Sequence, residues 1–188
     1  MKATFFILLV IIAISCSDSS KKNDALMKDA EVYMKGAMEE ADNWLAEFNK
    51  HGYSIYFNQQ FPPVFEKAIF ESMDSTRKQE ELQKWINEVE QEFGKVNERE
   101  LLGIHIVTKG KLLTNDANGT QGFKETSPKR LGHSDISQMY LKNIEGTYAY
   151  LMYKSKPAKK DRAEELIVLW LDENNKWNFI VYKIADNI

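Results

Sequence analysis

Apolar residues recur along the first third of the chain at helical spacing. Over residues 25–50 they fall at Met27, Ala30, Met34, Ala37, Met38, Ala41, Trp44, Leu45 and Phe48. Intervals of three and four place these side chains on one stripe of a helix, with Lys28, Glu39, Glu40 and Asp42 opposite. Asn23 or Asp24 can cap its start, and His51-Gly52 breaks it. Residues 53–60 read as a short second helix closed by Pro62-Pro63, and residues 64–73 as another turn or two. Asp74-Ser75 offers a cap for a further helix whose apolar face is Leu82, Trp85, Ile86, Val89 and Phe93, with Gly94 suited to its end.

Beyond Gly94 the period changes to two. Leu102, Ile104 and Ile106 alternate with Gly103, His105 and Val107, which predicts a strand half-buried on one face. Lys109-Gly110 turns the chain into a short arm, 111–114. Residues 115–134, rich in Gly, Asn, Thr, Ser and Lys, read as a connection longer than the usual limit of about 12–15 residues. Strands follow at 146–154, 164–171 and 177–184, the last two joined by a turn at 172–176. Helices first and antiparallel strands last define an α+β domain, its helices packed on one face of a curved sheet. In the last two strands both faces are apolar: Ile167 and Leu169 against Val168 and Trp170, then Phe179 and Val181 against Ile180 and Tyr182. One helical layer covers one face. The other must line a pocket, meet a partner or remain a surface patch.

The first fifteen residues stand apart. Lys2 precedes residues 3–14, of which only Thr4 is not apolar. Such a run fits a secretion signal and falls short of the ~20 residues that span a bilayer. Ala13-Ile14-Ser15-Cys16 resembles the lipobox of bacterial lipoproteins, with Ala13 where that pattern prefers Leu. The resemblance implies acylation of Cys16 after removal of residues 1–15. Cys16 is the sole cysteine, so it has no disulfide partner, and residues 17–23 are polar and suited to a tether before a single domain, 24–188. Two or three acyl chains, at about 0.8 kcal/mol per methylene, hold a protein to a membrane. Ser17 rather than Asp after the cysteine favours the outer membrane over the inner. The serine-rich tract is similar to that of Bacteroidetes lipoproteins, some of them surface exposed. The expected location is the cell envelope, periplasmic or exposed.

Composition agrees with a packed domain: 188 residues, 43% apolar, 12% aromatic and a formal charge of −3. A sequence pI near 5.7 argues against a nucleic-acid partner. Trp44 near the end of the first helix, Gly52-Tyr53, Trp85, the run from Gly94 to Glu100, Gly146-Thr147-Tyr148 and the final Lys176-Trp177-Asn178-Phe179-Ile180-Val181-Tyr182 together resemble small exported bacterial domains. That group is similar to the cystatin-like, or nuclear-transport-factor-like, cone fold. The resemblance covers about residues 25–185 and implies the same cone here. It carries over no catalytic residue, and the connection 115–134 is longer than is usual in the group.

Candidate chemistry is sparse. His51, His105 and His133 show no metal-ligand spacing. His51 suits a helix C-terminus, His105 an exposed strand position and His133 a loop. No cofactor or metal is implied. Alternation puts Glu98 and Glu100 on one strand face and Arg99 on the other, a solvated strand end unless burial splits the carboxyl pKa values for acid–base work. Apart from His105 and the tyrosines, the strand interiors carry few titratable groups. Lys154, Lys156, Lys159, Lys160 and Arg162 crowd one hairpin loop, and Lys129 and Arg130 lie in the long connection. They would face anionic headgroups or an acidic partner, or simply discourage edge pairing. Asn118-Gly119-Thr120 matches the N-glycosylation sequon, which a bacterial lipoprotein would not normally use. Asp74-Ser75-Thr76 resembles a short O-glycosylation motif and equally suits a cap.

The reading that follows is a non-catalytic envelope module. Its binding surface would be an aromatic sheet face or cone pocket, with Tyr148, Tyr150, Trp170, Trp177 and Tyr182 as candidates. Its partners would be the membrane through Cys16, a protein or small apolar ligand, and a second copy through the sheet. The alternatives are a small hydrolase, isomerase or dehydratase using a pocket carboxylate or His105, and a structural subunit of an envelope complex.

Overall fold

The computed structural model describes residues 3–70, 73–108, 111–116, 124–126 and 146–186. Helix α1, Ala3–His51, is followed by a 3-10 segment, Gly52–Asn58, then α2, Pro63–Phe70, and α3, Ser75–Glu92. Strands β1, Val96–Thr108, β2, Lys111–Asp116, β3, Lys124–Thr126, β4, Thr147–Pro157, β5, Ala163–Leu171, and β6, Trp177–Ala185, complete the chain. They form an open antiparallel sheet in the order β3-β2-β1-β4-β5-β6, with β3 a three-residue edge. The class is α+β, helices packed against an antiparallel sheet.

Helix α1 is longer than its apolar stripe predicts and includes the tract expected as a tether. No Gly or Pro interrupts residues 3–35, so nothing local stops the helix. Among the side chains described, those of Leu26, Ala30, Ala37, Ala41, Trp44, Leu45 and Phe48 are buried, while Met38 sits at the rim, 36% exposed. Small residues let the helix lie close to the sheet. A β-carbon on Gly36 would stand 2.9 Å from Trp177 Nε1, so the helix can pass there only as glycine. Helix α3 is capped as expected: the Asp74 carboxylate accepts from the Arg77 N–H at 2.9 Å. Gly94, with φ +65°, leads the chain out of α3.

Two bulges change which side chains share a face. In β1, Leu101 pairs with Tyr153 and Gly103 with Met152, so Leu102 is an extra residue and 39% exposed. Leu101, Ile104 and Ile106 therefore face α1, rather than Leu102, Ile104 and Ile106. In β6, Val168 pairs with Val181 and Leu169 with Phe179, so Ile180 is extra. Phe179 and Tyr182 consequently both face α1, and Ile180 with Val181 turns to the opposite side. Strict alternation had paired them the other way.

The segment expected as an unstructured connection also differs. Asn115 and Asp116 extend β2, and β3 pairs Leu112 with Thr126, which adds a strand at the edge. Lys129, Arg130, His133 and the 118–120 sequon lie outside the described residues.

The chain does not keep to one face. Helix α1 covers the first face, where Trp44 stacks on Phe179 at 4.4 Å and 4° and meets Phe48 and Tyr182 at 5.2 Å. The 3-10 segment packs beside it through Tyr53 and Tyr56, with Trp85 of α3 against both. The next element, α2, reaches the second face, where Phe65 packs 5.3 Å from Trp170 and 6.4 Å from Tyr148. Both faces thus receive helical cover, one from a long helix and one from a helix of eight residues, about two turns.

Candidate functional site

The five aromatic residues expected on one surface divide between two. Trp177 and Tyr182 are buried beneath α1, within the larger core. Tyr148, Tyr150 and Trp170 stand on the second face with Leu166, Val168, Ile180 and Phe65. The bulge at Ile180 is the reason for the placement of Tyr182, and Trp177 is drawn in by its contact with Tyr33 and Gly36 of α1.

On the second face, cross-strand pairing sets the geometry. His105 pairs with Tyr150, which pairs with Val168; Val107 pairs with Tyr148, which pairs with Trp170. Side chains directly opposite stand about 5 Å apart on such a sheet. Phe65 is fully buried against this surface. Among the described residues it is the only buried side chain from outside the sheet to pack there. Two polar atoms on the face lack partners: Trp170 Nε1, which can only donate, and His105 Nδ1. His105, expected as exposed, is half-buried, and desolvation holds its imidazole below the usual histidine range. Burial pushes the Tyr150 phenol up to about 12 and raises that of Tyr148 as well.

The first face holds a buried ion pair that the sequence reading missed. Glu165 is 1% exposed, and its Oε2 accepts from Arg99 Nε and from the Tyr182 hydroxyl, each at 2.8 Å. Arg99 Nη1 donates to Asn49 Oδ1 at 2.8 Å, and the guanidinium lies 5.1 Å from the Phe48 ring centre. The signal was present: counting by twos back from Ile167 places Glu165 on the core face, and Arg99 had already been separated from Glu98 and Glu100. Those two glutamates are exposed, as a solvated strand end requires. Burial raises the phenol pKa of Tyr182 and Tyr56 well above its usual value and pushes Tyr53 up to about 12. Above this pair lies a shallow groove of ≈ 600 Å³, lined by Asp42, Asn49, Lys95, Asn97, Arg99 and Tyr153.

A second groove, ≈ 460 Å³, runs between α1 and the β5–β6 turn and is lined by Glu40, Glu47, Gln59 and Lys176 among others. Burial raises the Glu40 pKa, while the Lys50 hydrogen bond lowers that of Glu47. Glu47 is exposed and engaged by Lys50 and His51. His51 is the last residue of α1, the helix C-terminus expected for it.

The basic hairpin is occupied with structure. Lys159 Nζ donates to the carbonyls of Glu90 and Gln91 at the end of α3, at 2.9 and 3.2 Å. Lys160 bridges Glu92 and Asp186, and Arg162 pairs with Glu164, all at 3.0 Å. Lys154 and Lys156 remain exposed on β4. Among the described residues, no group of three or more His, Cys, Asp or Glu side chains is placed to hold a metal ion. Among them too, no helix is long and apolar enough to cross a membrane. Comparison with protein-family models, curated proteins and solved structures finds no match to this chain.

Proposed function

We infer that this chain is a lipid-anchored envelope protein, held to the bilayer through Cys16, whose domain is a non-catalytic binding module of the cystatin-like cone type. The observation that carries the binding reading is the second sheet face. It presents Tyr148, Tyr150 and Trp170 beside two unpartnered nitrogens, Trp170 Nε1 and His105 Nδ1, and among the described residues one buried side chain from outside the sheet, Phe65, packs on it. The anchor reading rests on the apolar run before Cys16 and on that cysteine being alone.

The two readings fit one orientation. Leu26, which is buried in the domain, lies ten positions after Cys16, about 15 Å along a helix. The end of the domain near Trp177 and Asn115 then faces the bilayer, since Gly36 and Met34 touch those residues. The far end, with Gly94, Lys159 and Lys160, points away, which leaves those lysines to α3 and Asp186 rather than to headgroups. Intact-mass analysis of the protein extracted from its own membranes tests the anchor. A chain beginning at Cys16 and carrying the mass of two or three acyl chains is expected. An unmodified thiol behind the initiating methionine would end the proposal.

A further inference from the structure

The groove between α1 and the β5–β6 turn has fixed walls and a charge pair that is not closed. Glu40, Asn43, Trp44 and Glu47 recur at intervals of three and four, so they form one side of it along α1, about 10 Å from Glu40 to Glu47. Trp44 Nε1 donates to Gln59 Oε1 and Gln59 Nε2 to the Gln60 carbonyl, each at 3.2 Å, which holds the chain from Gln59 to Pro62 as the second side. Asn178 Nδ2 donates to Asp172 Oδ2 at 3.2 Å and to the Lys176 carbonyl at 2.8 Å, which holds the β5–β6 turn as the third. The floor belongs to the core: Trp44 lies flat on Phe179, and both are buried, as is Trp177. A space of ≈ 460 Å³ falls within the range of about 300–1,000 Å³ for small-molecule sites.

The charges that line the groove are unequally used. Glu47 is engaged by Lys50 and His51. Glu40 is half-buried, and among the described residues its carboxylate has no hydrogen bond and no ion pair. Burial raises its pKa and the charge of Lys176 opposes that rise, so the two groups act on each other across the groove without forming a salt bridge. A carboxylate that has lost water without gaining a cation is the group that profits most from a cation brought to it. The side-chain amides of Asn43 and Gln60 also have no partner among the described residues, and each offers both donors and an acceptor. Ile55, Phe61 and Pro62, all half-buried, add an apolar stretch to the lining.

We propose that this groove binds a small zwitterion, a dipeptide of apolar residues, with its ammonium group on Glu40 and its carboxylate on Lys176. The site is separate from the second sheet face and does not rest on it. An extended dipeptide spans about 7 Å, at about 3.3–3.6 Å per residue, so the side formed by α1 accommodates it. Its peptide group meets the amides of Asn43 and Gln60, and its side chain lies against Phe61 and Pro62. Each end makes a charge-assisted hydrogen bond in a partly desolvated place, where such bonds outweigh those in open water. Opposite charges on opposite walls also select the ligand: a molecule with one charge satisfies one wall and is repelled by the other.

The test uses the full-length chain in detergent micelles, with nitrogen-15 in the indoles of its four tryptophans. Phe substitutions of Trp85, Trp170 and Trp177 assign the signals, the fourth being Trp44. Glycyl-leucine is the probe, with N-acetyl-glycyl-leucine and glycyl-leucine amide as its blocked forms. The Trp44 and Trp177 signals should shift on titration with glycyl-leucine, while Trp170, on the other face, stays in place. Glu40→Gln and Lys176→Gln should each weaken binding about tenfold or more, the weight of one charged hydrogen bond. Neither substitution removes a hydrogen bond of the chain, and an unchanged Trp170 signal in each variant reports an intact fold. The acetylated form, which brings no ammonium, should bind the parent and Glu40→Gln alike; the amide should bind the parent and Lys176→Gln alike. No shift of Trp44 or Trp177 with glycyl-leucine would overturn the site. So would a Trp170 shift as large as theirs, which would report a response of the whole domain. Equal affinity of the parent for the blocked and unblocked forms would overturn the zwitterion.

Discussion

The two faces of this sheet are built from similar side chains and closed in different ways. Under α1, Trp44 and Phe48 of that helix, Tyr53 and Tyr56 of the 3-10 segment and Phe179 and Tyr182 of β6 interlock, and the buried Glu165 carboxylate is met by Arg99 and a tyrosine hydroxyl. Under α2, among the described residues, one buried side chain from outside the sheet, Phe65, packs with Tyr148, Tyr150 and Trp170, and Trp170 Nε1 and His105 Nδ1 lack partners. Apolar area alone does not separate the two. Redundancy does: on the first face each ring is held by several others, whereas among the described residues a single ring, Phe65, packs on the second from outside the sheet. The expectation that follows is that the first face opens only with the whole domain and that the second opens more readily.

The largest effect that would sharpen this contrast is Trp44→Ala. It removes the stack on Phe179, the contacts with Phe48 and Tyr182, and the bond from Nε1 to Gln59. Chemical denaturation should show a loss of about 5 kcal/mol, the upper part of the range for such truncations. Arg99→Ala comes next, at about 3–4 kcal/mol, because it strands the Glu165 carboxylate in the core. A loss below about 1 kcal/mol would show that Glu165 is not confined as described.

Phe65→Ala should cost less, about 1–2 kcal/mol, although its side chain is as buried as any in the molecule. An ordinary core phenylalanine costs about 3–5 kcal/mol on truncation. The smaller figure is expected because α2 is eight residues long and Phe65 is its one buried side chain among those described, and a value in the ordinary range would erase the distinction between the faces.

Proton linkage gives the smallest effects, with opposite signs at the two ends of the scale. Tyr56 and Tyr182 have folded pKa values raised by burial. Their contribution is fully present below about 10, the unfolded value, and is lost as pH rises beyond it. Tyrosinate absorbance should therefore appear together with loss of near-ultraviolet circular dichroism. His105 has its folded pKa depressed by burial. Its effect is absent above about 6.5, and stability falls as pH drops below that value toward the folded pKa. His105→Gln should flatten this acid limb without changing stability at pH 8.

The periodicities of this chain specify its elements well and its faces less well. The α1 stripe, the Asp74 cap, the Gly94 exit and the four long strands follow from spacing, because these are local properties. Which side of the sheet a residue takes depends on every residue before it in the strand. One extra residue at Leu102 or Ile180 reverses that parity, and neither position carries a Gly or Pro that marks a bulge. This is why Tyr182 and Trp170 seemed to share a surface. Phe65 could not be assigned from its neighbours, since a helix of eight residues is too short for its periodicity to be read. Glu165 is the opposite case: its position on the core face followed from alternation, and only the expectation that a carboxylate avoids a core concealed it.

Amide hydrogen exchange compares the two faces within one sample. The account predicts that amides of α2, 63–70, exchange through local opening far faster than those of α1 at 44–48, which should exchange only on global unfolding. Equal protection of the two segments would mean that Phe65 is fixed as firmly as Trp44, and the difference between the faces would disappear.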